Sequence, residues 1–173
     1  DRRNWSSPIV MDPSDTGTLY FGTYRIWRTT NQGDWWTAIS GDLTSGGAGT
    51  FGTVTTIAVA PTDPDVIYAG TDDSHVWVTQ NGGGNWTDVS SALPNRWVTR
   101  VAVDASDPQV AYATFSGLRW NENIGHVYRT ENAGASWTDI TGNLPDAPVN
   151  ALVVDPQYPD ALYVGSDVGC FYT

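Results

Sequence analysis

Side chains with binding or catalytic chemistry gather in a few short, turn-rich stretches. Asp72-Asp73-Ser74-His75 and Asp167-Val168-Gly169 supply carboxylates, while Arg96-Trp97 and Arg119-Trp120 set a cation beside an aromatic plane, as does Tyr24-Arg25. Aromatic faces stack on apolar surfaces, and Arg and Asp bond polar groups, so this mixture suits a carbohydrate or a peptide. Hydrolysis of a glycoside needs two carboxylates across the scissile bond. Asp72 and Asp167 are the candidate acids; Arg119, Trp120, Arg96, Trp97, Tyr24 and Asp73 are the candidate ligand contacts. Each acid also has a plain turn-forming reading, because one follows Gly-Thr and the other Gly-Ser. Trp97 precedes a strand and can equally cap a core. Arg119 and Trp120 lie in the longest insertion, where functional loops concentrate. His75 has no second His nearby in sequence, so no metal site is expected. Asp12-Pro13-Ser14-Asp15 and Asp63-Pro64-Asp65 offer oxygens to calcium but lack the ligand spacing of a calcium loop, and no cofactor is expected.

Composition narrows the field. The chain has 173 residues, 8 basic and 19 acidic groups, and a formal net charge of −11. Every basic residue is Arg. Grip on phosphate backbones or anionic membranes needs a basic surface, so nucleic acid is not an expected partner. No apolar run approaches the roughly 18 residues of a membrane-spanning helix. Gly82-Gly83-Gly84 lies inside a hairpin rather than between strand and helix, so it is not a phosphate loop. The start, Asp1-Arg2-Arg3-Asn4-Trp5, has neither an initiator Met nor a signal-peptide core and reads as a processed, excised or truncated chain. Asn4 and Asn85 begin glycosylation sequons. The single Cys170 is expected to be a small buried hydrophobe.

The elements that carry these residues repeat. Ile9-Val10-Met11, Ile57-Ala58-Val59, Val101-Ala102-Val103 and Leu152-Val153-Val154 each run into an Asp- or Pro-bearing turn. A second strand follows, marked by Tyr20, Tyr68, Tyr112 and Tyr163 at steps of 48, 44 and 51 residues. A third strand ends at Thr29, Thr79, Thr130 and Thr173, and a fourth begins at Trp36, Trp86 and Trp137. Short antiparallel strands in units of about 40 to 50 residues predict an all-β fold, a β-propeller of four-stranded blades. The blades are set at residues 1–43, 44–94, 95–145 and 146–173, three complete and one of three strands.

Between third and fourth strands stands Thr-x-Asn-x-Gly-x-x-Trp, three times over. Its members are Thr29, Asn31, Gly33 and Trp36; Thr79, Asn81, Gly83 and Trp86; Thr130, Asn132, Gly134 and Trp137. Asn can bond its own turn, Gly supplies positive φ, and Trp is expected to fold over its own hairpin. The motif resembles the Asp-box, or bacterial neuraminidase repeat, with Asn where the family more often has Asp. The resemblance implies that these residues are structural and sit away from the ligand-binding face. It also implies that the loops joining strands two to three, and one blade to the next, form that face. Sialidase-like, xyloglucanase-like and sortilin-type proteins share the repeat, as do bacterial secreted proteins of the glycosyl hydrolase repeat type. Ser166-Asp167-Val168-Gly169 resembles a xyloglucanase Thr-Asp-Val-Gly segment.

Three and three-quarter blades would leave apolar flanks, so the partners expected are the remaining blades of a longer chain or further copies in an oligomer. The leading expectation is an extracellular or periplasmic module that binds or scaffolds a glycan or protein. The alternatives are part of a glycoside hydrolase and a self-assembling structural subunit.

Overall fold

The computed structural model describes residues 1–46, 52–117, 124–158 and 161–173. They form four antiparallel sheets laid out in chain order. Blade 1 holds β1 (Ile9–Met11), β2 (Leu19–Gly22), β3 (Ile26–Thr29) and β4 (Thr37–Ala38). Blade 2 holds β5 (Val54–Val59), β6 (Val66–Thr71), β7 (Val76–Gln80) and β8 (Thr87–Asp88). Blade 3 holds β9 (Val98–Val103), β10 (Ala111–Phe115), β11 (Val127–Thr130) and β12 (Thr138–Asp139). Blade 4 holds β13 (Val149–Val154), β14 (Leu162–Ser166) and β15 (Gly169–Tyr172). This is the expected all-β arrangement, with fourth strands of only two residues each.

Blades form because their sequences alternate β-branched and aromatic residues between polar turns. Asp residues close those turns. Asp12 Oδ1 accepts the N–H and hydroxyl of Ser14 and the N–H of Asp15, and Asp104 Oδ1 does the same for Ser106 and Asp107. Much of the negative charge thus serves local backbone geometry.

The core lies between blades rather than within them. Tyr20 and Ile26 of blade 1 pack on Val54 and Ile57 of blade 2; Tyr68 and Val76 pack on Val98 and Val101; Tyr112 and Val127 pack on Val149 and Leu152. Cys170 holds the repeat position of Ile26, Val76 and Val127, yet it is exposed, contrary to expectation. Those three are covered by the first strand of the next blade, and no such strand follows blade 4 among the described residues.

The hairpin motif is the same in all three copies. Thr29, Thr79 and Thr130 hydroxyls donate to the Asn side-chain oxygens at 2.7, 3.0 and 3.0 Å. The same hydroxyls accept the N–H of Gly33, Gly83 and Gly134. The Trp rings do more than cover their own hairpins. Trp86 Nε1 donates to Ile39 O at 2.8 Å and Trp137 Nε1 to Val89 O at 3.0 Å, each bond reaching the preceding blade. Near the axis, Thr55 Oγ1 donates to Val98 O at 2.6 Å and Thr99 Oγ1 to Val149 O, in the opposite chain direction. Thr55 and Thr99 are the extra residues of β-bulges in β5 and β9, which turn their side chains toward the next blade.

Candidate functional site

Between blades 2 and 3 the β6–β7 turn, the β8–β9 connection and the start of the β10–β11 loop enclose a cleft of about 360 Å³. Asp72, Asp73, Arg96 and Trp97, all picked from sequence, line it together with Asn95 and Ser116. Pro148 of the next blade connection closes one side.

Each lining residue is held by its blade. Asp72 N–H donates to Thr53 O, and both Asp72 carboxylate oxygens take the N–H and hydroxyl of Thr53 at 2.7 and 2.6 Å. Asp72 is therefore committed to fixing the entry of β5, through bonds to Thr53 rather than to its own turn. Asp73 Oδ1 accepts Thr71 Oγ1 at 2.6 Å and its Oδ2 accepts Ser45 N–H at 2.7 Å. Ser74 has a φ of 77°, in the left-handed region that non-glycine residues seldom occupy. That conformation aims its hydroxyl at Asn95 Oδ1, 2.7 Å away, and so ties the turn to the blade connection. Arg96 Nη1 donates to Asn95 O at 2.7 Å. Trp97 O accepts the N–H of Ser116, which fixes its backbone, while the side chain stays 42% exposed. A half-exposed indole lining a cleft with fixed polar groups is what a saccharide face or a peptide side chain can stack on.

The other expected contacts lie elsewhere. Tyr24 is on blade 1, with the guanidinium groups of Arg2 and Arg25 4.7 and 4.4 Å from its ring centroid. Arg2 also pairs with Asp42 at 2.6 Å, so this cluster closes on itself. Hydrogen bonds from Thr44 and Arg2 outweigh the burial that raises the Asp42 pKa and hold its carboxyl below the usual value. Asp167 is exposed in blade 4, its Oδ1 accepting Asn150 Nδ2 at 2.7 Å and its N–H donating to Pro148 O. Asn150 is the bulge residue that corresponds to Thr55 and Thr99; in place of a bond to a following blade it positions Asp167. Arg119 and Trp120 lie outside the described residues. Among the described residues, no three His, Cys, Asp or Glu side chains converge as metal ligands would.

Asn95 and Ser116 join the cleft without any motif to mark them; their adjacency to Arg96 and to the end of β10 is the only sequence signal. A larger cavity, about 560 Å³, opens between blades 3 and 4 beside Ile140, Leu144, Leu162 and Phe171. Ile140 holds the repeat position of Ile39 and Val89, so this is the seat that Trp86 and Trp137 fill two blades and one blade earlier, a packing gap rather than a polar site.

Comparison with solved structures fixes the architecture. An ancestral GH74 enzyme matches with a TM-score of 0.75 at 20% identity, over 96% of this chain and 22% of that one. The GH74 enzyme of Niastella koreensis matches with a TM-score of 0.68 at 24% identity, over 90% of this chain and 24% of that one. A YCF48 protein bound to a D1 peptide matches with a TM-score of 0.60 at 13% identity, over 91% and 46%. The chain is a partial β-propeller. No family model matches it. Among curated proteins, a xyloglucanase of Hypocrea jecorina is 29% identical over 134 residues, 72% of this chain, and one of Paenibacillus is 24% identical over 192 residues, 95% of this chain. The chain spans only 15% and 18% of those two relatives. It is thus similar to propeller segments of glycoside hydrolases.

Proposed function

We propose that the cleft between blades 2 and 3 binds a neutral glycan chain, and that this chain is part of a secreted, glycoside-hydrolase-like propeller of the Asp-box type. The blades are those bounded at residues 43, 94 and 145, and further blades or a second copy of the chain cover its open flanks. One observation carries the reading: a half-exposed Trp97 lines the same cleft as Asp73, Asn95 and Arg96, an aromatic face beside groups that bond hydroxyls. The curated relatives named xyloglucanases favour a glycan over a peptide.

Isothermal calorimetry with soluble β-glucans and xyloglucan tests it. Trp97→Ala is expected to weaken binding at least about tenfold, the scale of losing one well-seated aromatic contact. Trp35→Ala, at a residue 81% exposed on the hairpin rim, is the control and leaves affinity unchanged. Equal binding by Trp97→Ala, or none by the parent, overturns the reading. Hydrolysis is the second reading, favoured by the exposed Asp167 and its positioning partner Asn150. Product release that survives Asp167→Asn would remove its candidate acid.

A further inference from the structure

Beside the cleft, three side chains of blade 2 form a relay. Ser45 Oγ lies 3.0 Å from His75 Nε2, and His75 Nδ1 lies 2.8 Å from Asp88 Oδ2. Ser45 comes from the β4–β5 connection, His75 from the β6–β7 turn and Asp88 from β8. A hydroxyl within reach of an imidazole, itself oriented by a carboxylate, is the arrangement of an activated oxygen nucleophile. The carboxylate accepts a hydrogen bond from Nδ1–H and leaves Nε2 as the acceptor for the Ser45 hydroxyl. Asp88 is suited to fix that tautomer. Burial opposes its charge, but donation from the Ser90 hydroxyl and N–H and from His75 outweighs it and keeps the carboxyl below its usual value. The Trp77 ring, 6.1 Å from the imidazole, gives the site an apolar wall.

The repeat does not demand this arrangement. Arg25 holds the position of His75 in blade 1, and His126 holds it in blade 3. His126 is buried and bonds Asp146 at 2.9 Å through Nε2, the nitrogen that in blade 2 meets serine.

We propose that Ser45, His75 and Asp88 form an acyl-transfer centre that hydrolyses small acyl esters of neutral alcohols. Ser45 Oγ bonds to the acyl carbon while its proton passes to His75 Nε2. The tetrahedral adduct breaks its bond to the alcohol oxygen, which leaves with that proton. Water then attacks the acyl-serine, gives a proton to His75 and releases the carboxylic acid, and the Ser45 oxygen recovers its proton from His75. Gly46 N–H, next after the nucleophile, is the donor for the oxyanion. It lies in a left-handed turn at a φ of 57° and its present bond, to Thr44 Oγ1, is long at 3.3 Å. The substrate is neutral because Asp73, which accepts Ser45 N–H, would repel an anionic ester. A small acyl group is enough to seat against the Trp77 ring.

The intact protein is incubated with p-nitrophenyl acetate, and separately with a fluorophosphonate probe, and the modified residue is located by peptide mass spectrometry. Modification is expected at Ser45, with p-nitrophenol release falling at least about 100-fold in Ser45→Ala and His75→Gln, the scale of a lost nucleophile or general base. Ser136→Ala, on the hairpin rim of blade 3, keeps the parental rate. Thermal melts accompany each variant. Should His75→Gln unfold, Ser45→Ala carries the test, since it removes a hydroxyl from an exposed residue. Modification elsewhere, parental release by Ser45→Ala, or neither labelling nor release in the parent overturns the proposal. None of these results depends on glycan binding at Trp97.

Discussion

Glycine at the fifth motif position meets two demands, and they differ between blades. The φ angles of Gly33, Gly83 and Gly134 are 101°, 95° and 83°, a region that side chains resist. At Gly83 a Cβ would come within 2.7 Å of Ile39 O, and at Gly134 within 2.7 Å of Val89 Cγ2, both on the preceding blade. At Gly33 it would meet nothing closer than 3.9 Å. Gly33→Ala therefore bears backbone strain alone, about 1 kcal/mol. Gly83→Ala and Gly134→Ala add a collision between blades and should lose about 3 kcal/mol or more. Equilibrium denaturation of the three variants checks this, and equal losses would show that the contact between blades is not tight. From sequence, the three glycines look identical. The contact that separates them is made to residues 44 and 45 positions earlier in the chain, at Ile39 and Val89, where no local pattern points.

The same limit governs the elements. Strand order and the three hairpins were legible because each signal occurs three or four times, so a short apolar run that means little alone becomes a blade when its spacing recurs. Four residues that line the cleft were named from sequence on other grounds: the family resemblance implies that matching loops of successive blades share one face. The path of the Trp rings was not. A local reading folds each ring over its own hairpin, whereas Trp86 and Trp137 hand their N–H to the preceding blade, 47 and 48 residues back. Cys170 was misjudged on similar grounds, since burial of its position depends on a neighbouring blade rather than on its own strand. The Trp bonds give a test at this scale. Trp86→Phe and Trp137→Phe each leave a carbonyl without its indole donor and should lose about 1 to 2 kcal/mol beyond the change in ring size. Trp36→Phe measures the ring change by itself, because no carbonyl among the described residues takes the Trp36 N–H. If all three variants melt alike, the bonds between blades add no net stability.

For the molecule as a whole, stability and association follow from the blade faces. Ile9, Ile57, Val101 and Leu152 share one repeat position; Ile9 is 60% exposed and Ile57 is 3% exposed. On the opposite face Tyr20, Tyr68 and Tyr112 are buried, but Tyr163 is 43% exposed. Each position is covered wherever a neighbouring blade exists, so the two ends of this fan present surfaces built like its interior. Burying apolar surface yields roughly 25 cal/mol per Å², which drives such surfaces together in water. The chain is accordingly expected to self-associate in light scattering and to bind a hydrophobic dye. Ile9→Ser combined with Tyr163→Ser should reduce both at a smaller cost in melting temperature than a buried position would bring, because Ile9 is 60% exposed and Tyr163, 43% exposed, loses only its ring contact with Tyr172. Ile57→Ser, the same chemistry at a buried copy of the first position, should lose about 3 kcal/mol or more. Mass that saturates at one stoichiometry would mean that copies of the chain cover each other's flanks. Mass that keeps growing with concentration would mean surfaces shaped for other blades. A monodisperse monomer that binds no dye would show that the end faces are not the sticky surfaces their composition makes them.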